Sequence, residues 1–114
     1  MTFIYKIAPA ELWRAAVAAG VFSGAPVDLQ DGFIHFSTAD QTRETAAKHF
    51  RGQADLLLIA VDDGALGEKL KWEPSRGGQL FPHLYEPMGL TAVRSVAPIP
   101  MNPDGTHDFM GLLP

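Results

Sequence analysis

Six consecutive apolar residues, Leu56-Leu57-Leu58-Ile59-Ala60-Val61, constrain this chain more than any other stretch. The run is short for a helix and shows no alternation, so it reads as a strand covered on both faces. Such a strand needs a packed layer on each side, and 114 residues with 46% hydrophobic content supply them. A chain of this length suits one domain, and it buries roughly two thirds of its unfolded surface without staples. The expected domain covers residues 1–100, and residues 101–114 form an apolar tail that wraps onto it. Cysteine is absent, which excludes disulfides, thiolate metal sites and Cys nucleophiles, and fits a reducing, cytoplasmic setting.

The rest of the chain falls around that strand. Phe3-Ile4-Tyr5-Lys6-Ile7 reads as a first strand, with Phe3, Tyr5 and Ile7 on one face. Pro9 and Gly20 bracket a helix whose stripe is Leu12, Trp13, Ala16, Val17 and Ala19, and Trp13 reads as core. Residues 21–31 read as a connection. A second helix spans residues 39–50, with Thr38 and Gln41 at capping-box spacing. Its expected buried stripe is Ala39, Ala46, Ala47 and Phe50, with Arg43 in the same sector. Glu44 and Lys48 form an outward i, i+4 pair. Strands follow near residues 70–73, 80–86 and 91–96, and Pro98, Pro100 and Pro103 close the sheet region. The class is α+β: two helices early, then mostly strands.

Chemistry concentrates at Gly32-Phe33-Ile34-His35-Phe36-Ser37-Thr38. Strand alternation puts Ile34 and Phe36 on the core face and Phe33, His35 and Ser37 on the other. His35 is the candidate catalytic residue, because an imidazole titrates near neutral pH and serves as acid, base or donor. Ser37, ahead of a helix start, is a candidate ligand contact. Arg43 and Arg51 are candidate phosphate holders, and Arg76, before Gly77-Gly78, is another. His83 and Tyr85 share a strand face, and if that face adjoins His35 the result is a groove with two imidazoles and a phenol.

Several alternatives are weaker on spacing. The four histidines, His35, His49, His83 and His107, show no H-x-H or H-x-x-x-H pattern, so no metal ligands are assigned. A small metal-dependent hydrolase requires His35 and His83 to converge with a carboxylate. Ser37 lacks a G-x-S-x-G elbow, and the glycines match neither a P-loop nor G-x-G-x-x-G. The net charge of −4 comes without any Lys or Arg run, which argues against duplex nucleic acid as a partner. No signal peptide and no membrane-spanning stretch is visible. The oligomeric state has no sequence signal.

The order of motifs resembles one family of short bacterial proteins, the domain of unknown function 952. The motifs that carry it are the I-Y-x-I opening strand, Gly32-Phe33-Ile34-His35-x-Ser37-Thr38-x-x-Gln41, the apolar strand at 56–61, and Phe81-Pro82-His83-Leu84-Tyr85. More remotely, Ile34-His35-Phe36-Ser37 and Arg51-Gly52 ahead of that strand are similar to motifs of the ADP-ribosyltransferase superfamily, in its tRNA 2′-phosphotransferase branch. This resemblance implies a split, strongly bent β-sheet with two N-terminal helices and a cleft for NAD, ADP-ribose or a related phosphorylated nucleotide. It implies His35 at the ribose or a phosphate and Arg51 on an anionic group; combined with the residue reading above, Arg43 or Arg51 would hold a phosphate, and His83 and Tyr85 would line the acceptor side. The implied enzyme is an NAD-dependent transferase of ADP-ribosyl or 2′-phosphate groups, with NAD as substrate. Two departures bear on activity. Lys6 stands where many relatives carry His, and no Q/E-x-E precedes the last strand; Glu73 and Glu86 are the candidate substitutes for its Glu, though neither matches a motif. The alternative is a non-catalytic ligand-binding or interaction module of the same fold.

Overall fold

A computed structural model of the protein describes residues 2–114, the Arg76 side chain excepted. The apolar run is β4 (Leu56–Asp62), and it takes the centre of a three-stranded antiparallel sheet. On one side lies β1 (Phe3–Pro9), with Tyr5 opposite Ala60, and on the other β8 (Val93–Ile99). Alternate residues of β4 feed two cores. Ile59 and Val61 join Ile4, Ala8, Trp13, Phe22, Ile34 and Leu84 on one face. Leu56, Leu58 and Ala60 join Tyr5, Ile7, Ala46, Ile99 and Phe109 on the other. That two-sided burial is why the run tolerates no polar residue.

Helix α1 (Ala10–Ala19) ends at Gly20 in the left-handed region (φ 82°), and it buries Trp13 in the first core, with the indole tilted against Phe22 at 5.7 Å. The stretch at 21–31, read as a connection, holds β2 (Val21–Phe22) and a six-residue helix, α2 (Pro26–Asp31). The molecule therefore has three helices among its described residues, not two. One and a half turns are too short to show a periodic stripe, which is why α2 escapes a pattern search.

The second sheet has the order β3-β6-β5, with β3 (Ile34–His35), β6 (Leu80–Leu84) and β5 (Leu70–Pro74), all antiparallel. The expected strand at 33–37 is only partly regular, because the chain crosses from one sheet to the other inside it. His35 pairs with His83, and the Phe36 N–H still donates to the Pro82 carbonyl. Ser37 then exchanges two backbone hydrogen bonds with Tyr5 of β1, at 2.7 and 2.9 Å. This single bridge joins the sheets edge to edge. A short pair, β2 with β7 (Met88–Gly89), completes the strands.

Helix α3 (Ala39–His49) opens with the capping box read from sequence: the Thr38 hydroxyl accepts from Gln41 N–H, and Gln41 Oε1 accepts from Thr38 N–H at 3.0 Å. Thr38→Ala is expected to cost about 1 kcal/mol in urea unfolding. The outward Glu44–Lys48 pair forms at 3.2 Å. Of the expected buried stripe, Ala46 is in the second core and Ala39 and Phe50 pack against it, but Ala47 and Arg43 do not join them. Thr42 and Ala46 are buried, whereas Arg43 and Ala47 are exposed. Thr42 can sit fully inside because its hydroxyl donates to the Thr38 carbonyl at 2.7 Å, leaving a methyl to face the core. Strand β8 continues through Pro98 rather than ending before it, as an edge strand allows. The tail folds back through a Met101–His107 bridge and sends Phe109 into the second core. None of the described helices is long and apolar enough to cross a membrane.

Candidate functional site

The site begins with a carboxylate on the short helix α2. Asp28 is fully buried, held in α2 below the sheet junction. Pro26 opens that helix, and Asp28, two residues on, accepts the Ala25 N–H at 2.7 Å. Gly24 makes this possible: its φ is 120°, and a Cβ there would stand 2.8 Å from the Asp28 Cβ. Lys6, also buried, reaches across from β1 and donates to both Asp28 oxygens, at 3.0 and 2.8 Å, and to the His35 carbonyl at 2.9 Å. His35 contributes its backbone N–H at 3.1 Å and its ring Nδ1 at 2.6 Å, both to Asp28 Oδ1.

Burial by itself raises the Asp28 carboxyl. The hydrogen bond from His35, the Lys6 charge and hydrogen bond, and the Ala25 N–H more than reverse it, bringing the pKa to about 2. Burial pushes the Lys6 ammonium down, against the pull of Asp28. The carboxylate is therefore the secure charge of the pair, since four separate groups hold it.

The other ring nitrogen of His35, Nε2, lies 3.0 Å from Asp31 Oδ2. The side chain is one-third exposed, at 33%. Phe33, His83 and Tyr85 stand on the same sheet face, as alternation requires. The Phe33 ring lies 4.6 Å from His35, 4.2 Å from His83 and 5.1 Å from Tyr85. The two imidazoles are 5.5 Å apart, edge to face. The groove of two imidazoles and a phenol is thus formed. Glu73 of β5 joins it, accepting from the Tyr85 hydroxyl at 2.6 Å and lying 2.9 Å from His83 Nδ1. Those two bonds, Tyr85 first, pull the Glu73 carboxyl below its ordinary value, and Glu73 in turn pushes the Tyr85 phenol up.

Beside this groove runs a cleft of about 610 Å³, within the ordinary range for small-molecule sites. His35, His83 and Asp31 line it, with Tyr5, Phe36, Phe50 and Phe81 as apolar wall. Ser37 also lines it, but its hydroxyl is 2.9 Å from the Thr45 hydroxyl and not bonded to an imidazole. Arg43 and Arg51 do not come to this cleft. They flank Ala47 over a separate depression of about 130 Å³, closed by Thr106, His107 and Phe109 of the tail. Arg51 there donates to the Asp104 carbonyl at 3.4 Å. The Arg76 side chain lies outside the described residues. Among the described residues no three His, Asp or Glu side chains are grouped to hold a metal, so the condition for a metal-dependent hydrolase is not met.

Sequence reasoning missed Asp28 and Asp31 as site residues, and it reached Glu73 only as a substitute for the absent catalytic Glu, not as the partner of His83 and Tyr85. Only Asp28 carried a signal, namely Pro26 with an acid two residues later, at the first and third positions of a short helix.

Comparison with known proteins fits this geometry into a family. The crystal structure of protein CC0527 from Caulobacter crescentus is 51% identical, with 97% of each chain covered and a TM-score of 0.94. A double mutant of that protein gives 50% and 0.94. Its solution NMR structure gives 52% and 0.87, covering 99% of this chain and 97% of that one. No curated protein matches. A family model runs from residue 7 to residue 96, so it takes in Asp28, His35, Glu73 and His83 and leaves out only Lys6 of the network around them; the chain belongs to the family described as "Protein of unknown function (DUF952)".

Proposed function

We propose that the cleft binds the ribosylated end of a nucleotide of the NAD or ADP-ribose kind, and that His35 and Asp31 receive the ribose. One observation carries this: a buried carboxylate fixes His35 through Nδ1, so that Nε2 meets Asp31 within a cleft of small-molecule size. A carboxylate beside an imidazole offers an acceptor and a donor to neighbouring ribose hydroxyls, the role an acidic residue plays in many dinucleotide sites. Aromatic side chains along the cleft suit a flat heterocycle.

Charge decides between the two transfers that the resemblance implies. Asp31 and Glu73 adjoin the imidazoles, Asp28 is neutralised by Lys6, and among the described side chains Arg43 and Arg51 are elsewhere. Acidic surroundings favour a ribosyl group that becomes cationic as its bond breaks over an anionic phosphoryl group. The reading is therefore ADP-ribosyl chemistry rather than 2′-phosphate transfer, on an ADP-ribosyltransferase-like fold. The two sheets meeting at Tyr5 and Ser37 support that fold proposal. A cytoplasmic setting belongs to the same proposal and rests on a cysteine-free sequence.

Titration with NAD and ADP-ribose, followed by heteronuclear NMR, tests this. Shifts centred on His35, Asp31 and His83, lost in His35→Ala, are expected. No shift around His35 at millimolar ligand would sink the nucleotide reading. Asp31 already engages His35 Nε2, which favours a second reading, a binding module without chemistry. Shifts without nicotinamide release or transfer would support that module.

A further inference from the structure

Glu73 stands to His83 as Asp28 stands to His35. Each carboxylate meets Nδ1 of its imidazole, at 2.9 and 2.6 Å, and leaves Nε2 as the working nitrogen. The two histidines are cross-strand partners on β3 and β6, both line the cleft, and Phe33 packs against both rings. What differs is the surroundings of Nε2. At His35 it faces Asp31, so both ring nitrogens meet carboxylates, and only an imidazolium donates to both. At His83 no described group bonds Nε2, so a ring donating through Nδ1 to Glu73 keeps a lone pair for the cleft. The charged and titratable groups around the two rings are Asp28 and Asp31 of α2, Lys6 of β1, Glu73 and Lys71 of β5, Tyr85 beside Glu73, and His49 along the cleft, with Lys71 the cross-strand partner of His83.

We propose that His35 and His83 form an acid–base pair that hydrolyses the N-glycosidic bond of a neutral N-riboside. This rests on the reading above, that ribose lies at His35. His83 Nε2 takes a proton from water as the water oxygen bonds to ribose C1′. The C1′–N bond breaks, its electron pair leaves on the heterocycle, and a heterocycle nitrogen takes the proton of His35 Nε2. Water is the only co-reactant, and the products are ribose and the free base. His83 then releases one proton to solvent and His35 regains one, so the cycle closes. Once ligand displaces Asp31 from Nε2, that carboxylate faces the positive charge developing on the sugar. The need for an acid selects the substrate. A nicotinamide ring leaves as a neutral molecule and takes no proton, whereas a neutral purine riboside expels an anion unless an acid supplies one.

The test uses the full chain with adenosine and with 4-nitrophenyl β-D-ribofuranoside, following ribose release and, by NMR, adenosine binding. Release from both is expected. His35→Gln should slow adenosine about 100-fold and the nitrophenyl riboside less than about ten-fold, because nitrophenolate leaves without a proton. His83→Gln should slow both about 100-fold. Glu73→Gln keeps the imidazole and should move the pH profile of the rate, which loss of packing alone would not do; it also carries the test should His83→Gln unfold. Adenosine shifts at His35 with no ribose release would overturn the pair and leave the binding reading standing. Absence of both shifts and release would overturn this proposal, while the NAD and ADP-ribose titration separately decides the ribose reading beneath it. Equal losses on both substrates in His35→Gln would overturn the assignment of His35 as the acid.

Discussion

Asp28→Ala will lower the unfolding free energy by about 3–5 kcal/mol, the cost of leaving a buried charge without its partner. The ammonium of Lys6 stays buried after the change and keeps only the His35 carbonyl as acceptor. The Ala25 N–H, the His35 N–H and the His35 ring lose their acceptor in the same step. A loss of that size is a large fraction of the roughly 5–15 kcal/mol that holds a domain together. Lys6→Met should cost less. It removes the buried cation, and the Asp28 anion keeps its bonds from Ala25 and His35. Urea unfolding of both variants at neutral pH measures the difference. Equal losses would mean that the pair is held by packing and not by the four-group network around the carboxylate.

That network also shows where sequence reading stops. The β4 strand was legible because six apolar residues in a row leave one option. The α3 start was legible because Thr38 and Gln41 form a local motif. Alternation alone placed Phe33, His35 and Ser37 on one face and Ile34 and Phe36 on the other, and it put His83 and Tyr85 on a common face. These are short-range signals. Asp28 is different: its partners Lys6 and His35 are 22 residues before and 7 residues after it, and the fold alone brings them together. Glu73 shows a related limit: as a substitute for the absent catalytic Glu it matches no motif, and only the fold brings it to His83 and Tyr85. The helix stripe was legible at Ala39, Ala46 and Phe50 and wrong at Arg43 and Ala47. Thr42 looks polar in sequence, but its hydroxyl is satisfied inside the helix, so it is buried where a polar residue was not expected. The place of Arg51 was not legible, because the tail residue that holds it at the other depression, Asp104, is 53 residues away in sequence.

Acid should unfold the protein through Asp28 in a defined window. The folded-state pKa, about 2, lies below the ordinary 3.8, so the folded state binds the proton less readily than the unfolded chain. The resulting stability is fully present above the unfolded value and is lost as pH falls through the folded one. The interval corresponds to roughly 2–2.5 kcal/mol, and most of it should be gone by pH 2. The Lys6 charge and hydrogen bond are among the causes of that shift, so their loss on protonation is already contained in this figure. Urea midpoints measured between pH 6 and pH 2 should hold until about pH 4 and then drop steeply. Asp28→Asn should start lower and lose less over the same span. A variant that falls in parallel with the wild type would assign the acid transition to the exposed carboxylates and not to Asp28.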